Sequence, residues 1–571
     1  MIKESKQKTL ENTKGLPKKS SVLSYPSHIS KKIVSFFETG VLSRLFLSAK
    51  KVDSFIPNKV LKPLEKHIGF RKNVLDPTRR WVSGIIDNNH VSRAVTAVIP
   101  RFLSVSLRSF GVFFLTFALY AAGIYFLKIF ANIRIGNSTA DDLSASAIVL
   151  LVGIILTLFG DKSLISALAN GRCAGYIMDS FGINEAYFRN REAAVPRTGT
   201  MFLAGTLLGI STLFFAPIAI LKVVATVLLA LTVFFIPEFG LLASVAVLPA
   251  VSTDFLKTAV AYTAICYIIK CIRMKRNFYF GAVDICMVGV LAFSAIGIDA
   301  GTLMCFSMLY FLARNMLNTE RLIRQANSTL CIALVVGMAF YLGGHFAHHI
   351  PFEYLRNTVV SFTDYSLGSS FMGLLTAILI PFVFSQYAAK KRLPAAVFTV
   401  VLTLASIVIA DIAISCYLLV VSAAIYIAVG KKAPVGAALF TAVMIPAFSF
   451  LHSPVSAMLT HLGMIGGTRE ELADSGIANG FLANGGIIPV ILVGICLLLT
   501  VQKMFSSIIT SEKKDIFALC GAVVASVVSI AVCCFVIGGF YADLRVIALL
   551  CFVIGYGNAC FAVISGHSEV G

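Results

Sequence analysis

Apolar segments of membrane-spanning length dominate the chain from about residue 109 almost to its C-terminus, with short polar breaks between them. A helix needs about 20 apolar residues to cross a hydrocarbon core of about 30 Å. In lipid, backbone polar groups must be bonded within the protein, so only helices and closed barrels span. The pattern predicts an all-α polytopic membrane protein with about 14–16 transmembrane helices. The predicted spans are 109–127, 142–160, 199–217, 219–236, 238–252, 256–272, 278–296, 300–315, 327–345, 367–386, 394–410, 412–429, 433–450, 479–501, 516–538 and 544–565.

The overall composition agrees with lipid as the solvent. Apolar residues make up 58% of the chain and charged residues only 13%, whereas soluble domains carry about 25% charged residues. Helices around a large soluble core would need a polar face, which these segments lack. We therefore expect a multi-pass protein of the cytoplasmic membrane, surrounded by membrane lipids.

The 13 cysteines indicate neither a disulfide framework nor a metal site. None forms a Cys-x-x-Cys pair, and most lie in apolar segments, where a free thiol behaves as a small hydrophobic group. The sequence also contains no phosphate-binding loop and no dinucleotide-binding motif. It therefore predicts no cofactor and no metal.

The first 110 residues carry most of the positive charge. They hold 21 lysines and arginines against 7 acidic residues, which is +14 of the net +20. Because this segment leads into the first span, it favours an anionic membrane surface over nucleic acid as its partner. The polar composition of residues 1–30 predicts a disordered basic tail, and this segment lacks the apolar region that a signal peptide needs. Residues 31–108 form a basic amphipathic region that lies in the headgroup plane or folds as a small cytosolic subdomain.

Lysine and arginine are distributed unevenly between the two sides of the membrane. With the N-terminus in the cytoplasm, the later inside loops hold 20 of these residues, including those of an arginine-rich turn from Arg314 to Arg324, and the outside loops and flanks hold 7, Lys257 and Arg545 among them. Cytoplasmic loops are enriched in lysine and arginine, so both termini are predicted to be cytoplasmic. Residues 109–565 then form the transmembrane domain, with long outside loops at 346–366 and 451–478.

The first long outside loop contains a candidate anion-binding residue, Arg356. A guanidinium can bind a phosphate through two parallel hydrogen bonds. An arginine anchored to lipid headgroups is the alternative interpretation. His345, His348 and His349 lie nearby and could bind zinc, but we interpret them as imidazoles at the lipid–water boundary.

The second long outside loop contains His452, His461 and Arg469. A histidine acting as general base, beside an arginine that neutralises a diphosphate leaving group, would suit glycosyl transfer. A solvated polar loop is the alternative, because spacing alone does not bring these side chains together.

Two carboxylates fall within or between predicted spans. Asp284 lies six residues into the span 278–296, and Asp411 lies between 394–410 and 412–429. Ionisable groups are costly in the membrane and usually serve a relay or a transport pathway. We expect Asp284 to snorkel or to pair with a basic neighbour, whereas Asp411 could instead mark an exposed turn.

Six stretches in the second part of the chain form an ordered series. They are Pro237-Glu238-Phe239-Gly240-Leu241-Leu242 through Leu248-Pro249, Tyr310-Phe311-Leu312 through Arg314, Arg321 and Arg324, Ser366-Leu367-Gly368-Ser369-Ser370-Phe371 with Leu379-Ile380-Pro381, the segment 401–429, Asn484-Gly485-Gly486-Ile487-Ile488 to Leu499, and Gly538-Gly539-Phe540-Tyr541-Ala542-Asp543-Leu544-Arg545. In order and spacing, over roughly residues 200–565, the series resembles the O-antigen ligase/polymerase family of integral-membrane enzymes.

The resemblance implies a fold, an activity and a substrate. Members of that family move lipid-linked glycans outside the cytoplasmic membrane. The chain is therefore expected to be a GT-C-like helical bundle acting as a membrane glycosyltransferase on a polyprenyl-diphosphate-linked glycan. The family's Asn-Pro-Asn is missing, and Ala410-Asp411-Ile412-Ala413 stands where the family has Ser-Arg-Gly. Arg356 matches a family cation by position only, and neither outside histidine has the family's sequence setting.

Three functions follow from the sequence. The first is an envelope polysaccharide polymerase or ligase whose candidate catalytic residues are the arginines and histidines of the outside loops. The second is a catalytically degenerate relative that organises other envelope-assembly proteins. The third is a lipid or solute transporter with an intramembrane carboxylate at the base of a polar cavity.

Overall fold

The computed structural model describes residues 76–88, 104–131, 140–158, 162–164, 179–181, 195–273, 279–294, 300–347, 369–388, 487–510, 514–536 and 545–565, together with residues 73 and 175. Within these ranges the backbone is helical almost throughout. Extended pairing there is limited to two isolated bridges, Val105 with Val195 and Ser106 with Ser163. The predicted all-α class is confirmed for this part of the chain.

The described ranges contain fourteen α-helices. They are α1 (Asp76–Asn88), α2 (Leu107–Phe130), α3 (Ala140–Leu158), α4 (Thr198–Ile210), α5 (Pro217–Phe235), α6 (Pro237–Val247), α7 (Thr253–Ile272), α8 (Ala282–Ser294), α9 (Ala300–Met316), α10 (Glu320–Ala347), α11 (Ser369–Ala388), α12 (Ile487–Thr510), α13 (Lys514–Val536) and α14 (Arg545–Ile564). Single 3-10 turns extend α4 through Ser211–Leu213 and α6 through Leu248–Ala250.

The helices follow the predicted spans closely. Each helix from α2 to α14 overlaps one predicted span, and the spans 394–410, 412–429 and 433–450 lie outside the described residues. Of the helices that the structure describes, six are long and apolar enough to cross a membrane by length and composition, namely α2, α5, α7, α10, α12 and α14. The chain is therefore an α-helical membrane protein.

One helix begins earlier than its apolar pattern predicts. Helix α10 starts at Glu320 instead of 327, because its polar first turns are bonded within the protein. Arg321 Nη2 and Gln325 Nε2 both donate to Oδ1 of Asp179, at 3.3 and 3.1 Å. The hydroxyl of Thr329 also donates to the carbonyl of Ser180, at 2.8 Å. Hydropathy alone does not detect a polar face that is covered by another segment.

Helices α2, α3 and α4 pack closely through glycines. A Cβ atom added at Gly111 would lie 2.6 Å from the backbone nitrogen of Thr157, and one added at Gly205 would lie 2.6 Å from the carbonyl oxygen of Phe113. Small residues let helix backbones approach in a membrane, where burial of apolar surface drives association only weakly. These positions explain how three largely apolar helices hold together.

Helix α14 lies at the centre of the remaining bundle. It contacts α9, α10, α11, α12 and α13, and its residues 545–561 are all buried. Its Gly555 packs against the backbone of Tyr310 on α9. The two candidate sites described below both depend on α14.

Candidate functional site

Of the predicted site residues, Asp284 is the one that lies within the described part of the structure. Arg356, Asp411, His452, His461 and Arg469 lie outside the described residues. Among the side chains that are described, no group of three or more His, Cys, Asp or Glu is arranged to hold a metal ion.

Asp284 lies in the first turn of α8, because this helix begins at Ala282 rather than at 278. The sequence predicted Asp284 to lie six residues into its span, and the observed start of the helix places it closer to the N-terminal end. Its Oδ2 accepts a hydrogen bond from the backbone N–H of Gly281, and its Oδ1 accepts one from the hydroxyl of Tyr310 at 2.7 Å. The side chain is only 1% exposed. Two donors and the positive end of the helix dipole suit a buried carboxylate.

Two cations lie near the Asp284 carboxylate. Arg314 on α9 and Lys503 on α12 are both close enough to interact electrostatically with it, and both are buried. Arg314 lies four residues after Tyr310 and therefore shares a face of α9 with it. The hydrogen bonds to Asp284 come from Gly281 and Tyr310, so the expectation that it snorkels or pairs with a basic neighbour stays a prediction.

Asn558, at the centre of α14, connects the two cations. Its Oδ1 accepts from Lys503 Nζ at 2.8 Å, and its backbone oxygen accepts from Arg314 Nη1 at 3.1 Å. Its Nδ2 donates to Thr500 Oγ1 at 3.1 Å and to the carbonyl of Ile554 at 2.9 Å. The five residues Asp284, Tyr310, Arg314, Lys503 and Asn558 form what we call the buried charge cluster.

The buried charge cluster joins the consecutive helices α8 and α9 to α12 and α14, which lie far later in the chain. Ions buried in a low-dielectric interior are costly unless they are paired and hydrogen-bonded. The hydrogen bonds to Asp284, and those from Arg314 and Lys503 to Asn558, offset part of that cost and connect the four helices. Intramembrane ionisable groups also mark transport pathways, so the same arrangement is suitable for binding or relaying an ion.

The sequence assigned Arg314 to a cytoplasmic arginine-rich turn, and the structure changes this assignment. Arg314 belongs to the last turn of α9, and its side chain points into the bundle, where it donates to the carbonyl oxygen of Asn558. Charge counting along the chain cannot separate a loop arginine from a helical arginine that is paired in the interior.

A further buried cation, Arg545, begins α14 and was not a predicted site residue. Only 7% of it is exposed. Its Nη1 donates to the carbonyl oxygens of Pro249 and Val251, at 3.3 and 3.4 Å. Its guanidinium carbon lies 4.8 Å from the ring centroid of Phe371, within the range of a cation–π interaction. We call these four residues the Arg545 node.

The two sites are separated along α14. Arg545 and Asn558 are thirteen residues apart, which corresponds to about 20 Å of helix. From the sequence, Arg545 was counted as an outside flanking cation, and it belongs to the last of the six ordered stretches. That position was the one signal in the sequence that pointed to a functional role for Arg545.

The comparisons with known proteins identify no relative. No family model matches the chain, and neither a curated protein nor a solved structure matches it. Function must therefore be argued from the Arg545 node and the buried charge cluster.

Proposed function

We propose that the chain is an envelope polysaccharide polymerase or ligase that transfers a polyprenyl-diphosphate-linked glycan at the outer face of the cytoplasmic membrane. One observation carries the proposal. The Arg545 node joins three of the six stretches on which the likeness to O-antigen ligases and polymerases is based, through Pro249, Phe371 and Arg545. Under this proposal the helices form a GT-C-like bundle with both termini in the cytoplasm.

The node has properties that a diphosphate substrate requires. Arginine keeps its charge and matches the geometry of phosphate oxygens. The acceptors at Pro249 and Val251 are neutral carbonyl oxygens, so these bonds position the guanidinium without cancelling its charge. A cation that is fixed before the substrate arrives stabilises developing charge without a reorganisation cost. The node lies at the end of α14 that the sequence predicts to face outside, the side to which the loops 346–366 and 451–478 are also assigned.

The transfer requires a base and a charge-stabilising group. An acceptor hydroxyl attacks the anomeric carbon of the glycan, and a new C–O bond forms as the bond to the diphosphate oxygen breaks. The hydroxyl proton passes to a base, for which His452 and His461 are the candidates. Arg356 and Arg469 neutralise the departing polyprenyl diphosphate.

The test measures polymer in cells whose only copy of the chain carries a substitution. We expect Arg356→Ala and Arg469→Ala each to abolish polymer while membrane levels of the protein stay at the wild-type value. Lys257→Ala is the matched control, because Lys257 is a predicted outside cation whose Nζ lies 2.8 Å from Oδ1 of the exposed Asp254. This control should make normal polymer.

Normal polymer from both arginine variants would contradict the catalytic proposal. It would leave the second function, in which the chain organises envelope-assembly proteins without catalysis. Deletion of residues 1–95 should then release those partners while the membrane bundle stays folded.

The predicted orientation has its own test. A tag fused at Met1 or at Gly571 should resist protease added to intact cells and become cleavable once the cells are opened. Cleavage in intact cells would place the Arg545 node on the cytoplasmic side, where it could not act on an exported glycan.

A transporter is the second candidate, and the buried charge cluster favours it. Asp284, Arg314 and Lys503 place three ionisable groups inside the bundle, the arrangement that ion coupling uses. Asp284→Asn and Asp411→Asn should then abolish ion-driven flux into proteoliposomes, whereas the exposed Asp254→Asn should not. Unchanged flux in both intramembrane variants would contradict ion coupling.

A further inference from the structure

Helix α1, Asp76–Asn88, leaves its largest apolar side chains uncovered. Trp81 is 68% exposed and Ile85 is 48% exposed. The two residues are four positions apart and therefore lie on one face of the helix. Trp81 is the single tryptophan of the chain. A face of this kind needs an occupant, because exposing large apolar side chains to water is unfavourable.

Two exposed arginines lie on the other side of this helix. Arg79 and Arg80 precede Trp81 directly, and at about 100° per residue both fall on the face opposite the stripe of Trp81 and Ile85. The combination of an apolar face with a basic polar face is typical of helices that lie in a membrane interface. The surrounding residues 1–110, with 21 basic against 7 acidic side chains, add to the positive field.

The position of α1 favours lipid as the occupant over a soluble partner. The helix packs against α7, which is one of the helices long and apolar enough to cross a membrane. Contact with a spanning helix holds α1 at the bilayer. Tryptophan is enriched at the membrane–water interface, and arginines near an anionic membrane surface are attracted to it.

We propose that α1 lies in the headgroup plane of an anionic leaflet, with Trp81 and Ile85 inserted below the headgroups and with Arg79 and Arg80 bound to lipid phosphates. This assigns the described part of the basic N-terminal region to the interface rather than to a cytosolic subdomain. The proposal is independent of the glycan chemistry, since a transporter could carry the same anchor.

The single tryptophan allows a direct test on the full chain. The protein is reconstituted in vesicles containing anionic phosphatidylglycerol, with or without lipids brominated near the headgroup end of their acyl chains. We expect the brominated lipids to quench Trp81 emission, and we expect aqueous iodide to have no effect on it. The Trp81→Phe protein gives the background, because it contains no tryptophan.

Charge reversal supplies the second arm. Arg79→Glu together with Arg80→Glu should abolish quenching by brominated lipid and make Trp81 accessible to iodide. Arg108→Glu, which reverses an exposed cation on α2 rather than on α1 or α7, should leave both signals at wild-type values. A wild-type Trp81 that iodide quenches, or that neither quencher reaches because protein covers it, would overturn the proposal. Equal lipid quenching in vesicles of phosphatidylcholine alone would overturn the role assigned to the arginines.

Discussion

The hydroxyl of Tyr310 donates a 2.7 Å hydrogen bond to Oδ1 of Asp284, and both side chains are enclosed within the bundle. This bond links the first turn of α8 to α9 at a point where Arg314 and Lys503 also act on the carboxylate. The acid therefore connects several parts of the bundle at once. The stability of this region should depend on Asp284 more than on any single hydrogen bond to it.

Removing the Asp284 carboxylate should lower the free energy of unfolding more than removing the Tyr310 hydroxyl that donates to it. We expect Tyr310→Phe to lower the free energy of unfolding by about 1–3 kcal/mol, because a buried acceptor loses its partner. Asp284→Ala should cost about 3–5 kcal/mol, because it leaves buried cations uncompensated. Unfolding by titration with a denaturing detergent measures both effects.

The exposed acid Asp254 supplies the control for that experiment. Its side chain is 90% exposed beside Lys257, so Asp254→Ala should change stability by less than about 1 kcal/mol. An Asp284→Ala protein as stable as this control would contradict the stabilising role of the buried charge cluster.

Lys503 and Asn558 should be energetically coupled. Their 2.8 Å bond joins α12 to α14 inside the bundle, and residues in one network show coupling energies of about 0.5–3 kcal/mol. A double-mutant cycle with Lys503→Met and Asn558→Leu measures this coupling. Strict additivity of the two changes would show that the two side chains act independently.

Gly555 should not tolerate a methyl group. A Cβ atom there would lie 2.5 Å from the carbonyl oxygen of Tyr310 and 2.9 Å from Cβ of Ala313, so Gly555→Ala must separate α14 from α9. We expect a loss of about 1–3 kcal/mol, the usual effect of overpacking. Thermal unfolding in detergent checks this value.

Gly494 on α12 is the matched position for Gly555. A Cβ atom at Gly494 would meet no atom within 4 Å, so Gly494→Ala should leave stability unchanged or raise it by about 0.5–1 kcal/mol through helix propensity. Equal losses from the two substitutions would exclude the close helix contact as the cause.

Arg545 should be coupled to the ring of Phe371. The guanidinium lies 4.8 Å from the ring centroid, and such contacts contribute about 0.5–2 kcal/mol. A cycle of Arg545→Met and Phe371→Leu, measured by unfolding, should return a coupling in that range. A coupling of zero would leave only the carbonyl contacts of Pro249 and Val251 to position the arginine.

Hydropathy predicted the helical class and the approximate place of helices α2 to α14. This was possible because lipid requires long runs of apolar residues, which a single sequence displays directly. The same signal fails where polar residues are covered by protein. It therefore placed the start of α10 seven residues too late, since Arg321 and Gln325 are bonded to Asp179.

The candidate sites were predictable only in part. Asp284 was identified because an acid within an apolar run is conspicuous. The other members of the buried charge cluster come from three other helices, and only the tertiary structure brings them together: Tyr310, Arg314, Lys503 and Asn558. Arg545 was overlooked for the same reason, because its carbonyl partner Pro249 lies 296 residues earlier in the chain.

The distance of 296 residues between Pro249 and Arg545 along the chain has a consequence for biogenesis. The turn after α6 cannot obtain the guanidinium that binds its carbonyls until translation has added the residues up to Arg545. The early spans must therefore enter the bilayer with that turn incomplete, and the turn is capped only after Arg545 of α14 has been synthesised. Chains truncated before α14 should be recognised by membrane quality control as unfinished, even though every earlier helix is present.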